Sequence, residues 1–191
     1  MSDLAFYFKE GWQHIISTSA LDHQLFIIAL AAIYLLQVWK KVLVLVTAFT
    51  IGHSLSLALS VYNVLRINEA LVEFLIPCTI IITAIFNVVQ KDLQQKNIYL
   101  NYFFALFFGL IHGLGFANTI RFMLAKDQTI GWSLFGFNIG LEAGQIIIVT
   151  IILLASYVVV NKLKVSQKWW VYLLSAITFT WAVKFALERM P

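Results

Sequence analysis

Charge is scarce in this sequence: Asp, Glu, Lys and Arg together make up 12% of its 191 residues, about half the share of an ordinary soluble domain. Cysteine occurs once, as Cys78, and proline twice. A lone cysteine excludes an intramolecular disulfide framework and a site built on paired thiolates. Its place inside an apolar run makes it a packing residue. The first twenty residues lack a basic segment followed by an uninterrupted apolar core and a small-residue cleavage site, so the N-terminus reads as part of the mature chain. No linker, low-complexity tract or block of like charge divides the sequence, and residues 1–191 read as one domain. The basic residues give a net charge of +4 but are scattered singly or in pairs between apolar runs. That excludes nucleic acid as a partner and suits the ends of membrane helices.

What is present is apolar. Hydrophobic residues make up 61% of the chain and the mean hydropathy is +0.88. A soluble core of this size cannot hide that excess, whereas lipid requires helices that are apolar all round. The fold class is therefore an all-α integral membrane protein. Cutting the chain into runs of about 20 apolar residues predicts six spans, at 24–38, 42–62, 70–90, 99–122, 132–160 and 169–187. The fifth is long enough to tilt, and Trp169, Trp170 and Tyr172 form an interfacial belt at the start of the sixth. The segment before the first span, residues 1–20, carries Lys9, Glu10, Gln13 and His14 among its apolar residues. It reads as an interfacial or re-entrant helix. Seven Lys and Arg follow the first, third and fifth spans and six lie elsewhere. This small excess puts both termini outside the cytoplasm.

Phe49, His53, Leu55 and Ala58 recur as Phe108, His112, Leu114 and Ala117, each displaced by 59 residues. Two spans separate the copies, so they run in the same direction. This pattern suggests a parallel repeat in which the second and third spans correspond to the fourth and fifth.

Ionisable groups inside a membrane are costly and mark function. The chain has only four histidines, His14, His23, His53 and His112. At about 1.5 Å of rise per residue, His53 and His112 lie at one depth, in the same half of the bilayer as Asp22 and His23 at the start of the first span. His14 just precedes them, and Glu73, Asn138 and Glu142 fall in that half too. Imidazole and carboxylate together suit Ni, Co, Zn, Cu or Fe. Asp22 also fits a helix cap, and the glycines at 52, 109, 113, 115, 140 and 144 permit close helix crossings. Three functions remain open: metal transport, a haem-binding electron carrier with two axial histidines, and a metal-binding membrane subunit that transports nothing. Ser54 beside His53 is no triad, since helix neighbours point about 100° apart; an enzyme is not expected.

Four blocks, Gly11 to His23, Thr47 to Leu55, Phe108 to Ala117 and Phe137 to Gln145, resemble the HupE/UreJ family of bacterial membrane proteins in the same order. The resemblance implies a secondary permease for nickel or cobalt in the bacterial inner membrane, associated with the maturation of hydrogenase or urease. It implies that His14, Asp22, His23, His53, His112 and Glu142 hold the metal; Asn138 and Gln145 in the fourth block, and Glu73 by its depth, are supporting polar groups. Besides the metal and lipid, the expected partners are metalloenzyme maturation proteins and a second copy of the chain. The sequence departs from the family at Gln24, where an apolar residue is usual. Seven residues separate His14 from Asp22, where the signature of the larger nickel/cobalt permease family has four.

Overall fold

A computed structural model describes residues 3–90, 98–124 and 130–191. Among them every regular element is helical: α1 (Asp3–Ile16), α2 (Leu21–Ala31), α3 (Trp39–Val61), α4 (Glu69–Val89), α5 (Ile98–Leu124), α6 (Ile130–Ser156) and α7 (Gln167–Glu188), with short 3-10 turns at Thr18–Ala20 and Leu36–Val38. The polar stretch expected to close the third span, 91–97, lies outside the described residues.

Among the described residues, four stretches are long and apolar enough to cross a membrane: Leu36–Val61, Glu69–Val89, Ile130–Lys162 and Gln167–Glu188. They correspond to the second, third, fifth and sixth predicted spans. The fifth is the longest at 33 residues, because α6 runs on into a π-helical turn at Tyr157–Lys162. The predicted fourth span is α5, 27 residues long, with its apolar part at Asn101–Ala117. Large apolar side chains stay on the outside of these helices, among them Ile51, Ile82, Ile151 and Leu173, as lipid-facing surfaces require. Asn68 caps α4 by accepting from the Ala70 amide at 3.0 Å. Asn63 ends the stretch after α3 in the left-handed region, at φ 59°, a conformation asparagine tolerates.

The first predicted span needs correction. Residues 24–38 do not form one helix: α2 has eleven residues, about 16 Å of rise, roughly half the hydrocarbon thickness. The apolar run continues past Ala31, but the chain leaves the helix there and enters a 3-10 turn at Leu36–Val38. Taken together, α1 and α2 are long and apolar enough for a span, bent by 69° between Ile16 and Leu21. The N-terminal segment is accordingly packed against the bundle: α1 lies along α6, with Tyr7, Gly11 and Ile15 buried. Of the two expectations for this segment, interfacial or re-entrant, a broken span or re-entrant loop is what the bent pair fits, with the stripe formed by these three residues set against α6.

Glycine decides which helices meet. A Cβ on Gly52 would strike the Leu106 carbonyl and one on Gly109 the Phe49 carbonyl, so α3 and α5 touch backbone to backbone at reciprocal positions. Gly11 stands in the same relation to the Phe137 carbonyl, and Gly140 to that of Phe8, across α1 and α6. Gly113 meets the His53 carbonyl further along α5, and Gly136 lies nearest Leu4. Contacts in both pairs advance in the same direction along the two chains, so each pair is parallel. The parallel repeat inferred from the 59-residue displacement therefore holds for α3 and α5, which pack directly against each other. Their successors diverge: α4 packs mainly on α7, and α6 on α1.

Candidate metal centre

The bend between α1 and α2 puts His14 near the end of one helix and His23 in the first turn of the next. His53 comes from the middle of α3 and His112 from the middle of α5, held at one depth by the glycine contacts between those helices. All four imidazoles meet. His23 is the hub, with ring centres 4.7 Å from His14, 5.0 Å from His112 and 5.6 Å from His53. His14 and His53 lie 5.9 Å apart. His53 and His112 are fully buried and His23 nearly so.

Ligand atoms of His14, His23 and His53 all lie within 4.8 Å of one another. Two nitrogens each bound at about 2.1 Å to one ion are at most about 4.2 Å apart, so small side-chain rotations bring the three into a common shell. One nitrogen of His14, one of His23, both of His53 and Nδ1 of His112 are buried without a hydrogen-bond partner in the protein. A buried unsatisfied group of this kind costs about 1–3 kcal/mol. Several converging on one point fit a bound cation.

His112 lies outside that group of three and has a second partner. The Thr79 hydroxyl is 3.1 Å from its Nε2 and 2.7 Å from the Ile76 carbonyl. A hydroxyl has one proton. Given to the carbonyl, it leaves the oxygen to accept from Nε2–H, so that Nδ1 keeps the lone pair. This places an orienting contact behind the histidine, as such centres usually have.

The carboxylates are arranged differently from the sequence expectation. Asp22 accepts a 2.8 Å hydrogen bond from Arg189, and Glu142 one of 2.7 Å from the Thr47 hydroxyl. Neither joins the group within 4.8 Å. Gln145, fully buried, accepts from Thr50 at 2.7 Å, and Asn138 Oδ1 is buried without a partner. Glu73 is exposed on α4, its side chain turned outward by the rotation of the helix.

Rings enclose the imidazoles on two sides. Phe26 stacks on Phe49 at 4.8 Å and meets Phe108 at 5.8 Å, and both Phe26 and Phe49 touch His112. On another side the Phe116 ring lies 4.0 Å from His14 and stacks on Phe137. Phe49 and Phe108 stand one helical turn before His53 and His112, so the repeat carries the ring with the histidine.

A family model described as HupE / UreJ protein matches residues 1–189. Comparison with curated proteins and with solved structures gives no match.

Proposed function

Since the chain belongs to the HupE / UreJ family, we propose that it carries a divalent transition-metal cation, nickel or cobalt, across the membrane. The observation that supports this reading best is the convergence of His14, His23 and His53, from three separate helices, on one buried point. His14, Asp22 and His23 collect the ion at the helix break. His53 and His112 receive it from them, and Glu142 serves as a carboxylate ligand or proton acceptor. Neutral imidazole binds the cation and protonated imidazole releases it, which couples movement of the ion to protons. Selectivity comes from ligand number and geometry. The cell would use the protein in its inner membrane, with both termini outside the cytoplasm, to supply metalloenzyme maturation.

Proteoliposomes test this. The wild type should accumulate Ni(II) or Co(II), and a His53→Ala, His112→Ala double variant should not. Equal accumulation in both would refute the proposal. Tight binding with no flux would favour a metal-binding subunit instead, and a Soret band in the purified protein would favour haem. The Thr79 contact gives a finer expectation. Thr79→Val removes the orienting partner of His112 while keeping the side chain's shape, and changes of this kind cost about 10-fold in metal affinity or more. Calorimetric titration with Ni(II) reads it directly; an unchanged affinity would remove His112 from the ligand set.

A further inference from the structure

Arg189 follows α7 directly and reaches back to the start of α2. Its Nη1 donates to Asp22 Oδ2 at 2.8 Å, with the two side chains 29% and 15% exposed. Its guanidinium also lies 5.1 Å from the ring centre of Phe185, on the preceding turn. The second carboxylate oxygen, Asp22 Oδ1, is buried and has no partner. Asp22 is the sequence neighbour of His23, the hub of the imidazoles, yet its oxygens stay outside the group of ligand atoms.

We infer that Arg189 is an exchange latch: it holds Asp22 while the histidines carry no ion and surrenders it when a divalent cation arrives. This rests on the proposed cation reading. The imidazoles that bind are neutral, so Asp22, next to His23 in sequence, is a negative charge available to the ion and Arg189 the positive charge that competes for it. A divalent cation attracts the carboxylate with twice the charge of a guanidinium and repels the guanidinium as well. Arg189 is exposed enough to return to water, and partly exposed ion pairs exchange at low cost. Loading the site therefore frees the end of α7 from α2, and emptying it docks that end again.

Ni(II) titration of the purified full-length protein, in a four-way set of wild type, Arg189→Gln, Asp22→Asn and the double variant, tests the latch. Arg189→Gln removes the competitor and should bind Ni(II) about 10-fold more tightly, which corresponds to about 1.4 kcal/mol. In the Asp22→Asn background the same substitution should change affinity by less than about twofold, since nothing is left to compete for. Arg189→Lys keeps the charge and should fall between wild type and Arg189→Gln. If Arg189→Gln weakens binding, the arginine positions Asp22 for the ion and the latch is wrong. An unchanged affinity with a lowered melting temperature makes it a structural anchor, which also overturns the latch. If the wild type itself binds neither Ni(II) nor Co(II), the transport reading fails and the latch goes with it. Wild-type binding that Arg189→Gln leaves unmoved removes the latch alone.

Discussion

His23→Ala is expected to lower the affinity of the purified protein for Ni(II) or Co(II) by on the order of 100-fold or more. Loss of an outer contact to a ligand already costs about 10- to 100-fold, and His23 is the imidazole that the other three surround. Stability should respond differently. The His23 ring buries a nitrogen with no partner, so its removal relieves a desolvation cost that offsets part of the packing lost. The melting temperature of the ion-free protein should fall much less than for a buried aromatic such as Phe26. Calorimetric titration beside thermal unfolding separates the two effects. A His112→Ala variant that loses more affinity than His23→Ala would show that the hub is misassigned, since His112 lies outside the three-histidine group.

Gly109→Ala should be among the most damaging single-carbon changes in the chain. The added Cβ meets the Phe49 carbonyl, a backbone atom that no rotamer change can move. Overpacking of this kind costs about 1–3 kcal/mol where side chains can adjust; here α3 and α5 must separate instead. Because those helices carry His53 and His112, the cost should appear twice, as lower thermal stability and as weaker Ni(II) binding. Gly131→Ala is the control. Nothing lies within 4 Å of its added Cβ, and alanine is the better helix former by up to about 1 kcal/mol. Equal melting temperatures for the two variants would contradict the backbone contact between α3 and α5.

Much of this was legible in the sequence, for reasons that particular residues make plain. Hydropathy located α3, α4, α6 and α7 because lipid-exposed helices must be apolar on their outward faces. The shared displacement of Phe49 and His53 onto Phe108 and His112 anticipated that α3 and α5 run in parallel. Depth counting brought the four histidines into one half of the bundle, and the structure brings their rings together. Rotation was harder to read. Depth says how far along a helix Glu73 lies but not which way it faces, and α4 turns it outward. The end of α2 at Ala31 escaped, since nothing in the apolar run from Leu25 to Leu36 marks the point at which the helix stops. Thr79, Thr47, Thr50 and Arg189 were missed because each acts through a partner distant in sequence: Asp22 and Arg189 are 167 residues apart. A threonine in an apolar helix gives no sign of which histidine or carboxylate it will face. The regular spacing of Thr47 and Thr50 against Glu142 and Gln145, both 95 residues on, becomes visible only once α3 and α6 are seen in contact.

The two glycine-seated pairs have a mechanical consequence. Helices that touch through backbone carbonyls have no side-chain cushion to compress, so α3 with α5, and α1 with α6, each move as one stiff beam. One beam carries His53 and His112, and the other carries His14. Whatever yields must lie between the beams, and the shortest α-helix there is α2, one flank of it set against a 69° break and the other against an irregular turn. His23 rides on that element. The imidazole at the centre of the cluster is thus mounted on the most compliant part of the frame, and the rigid parts hold the imidazoles around it.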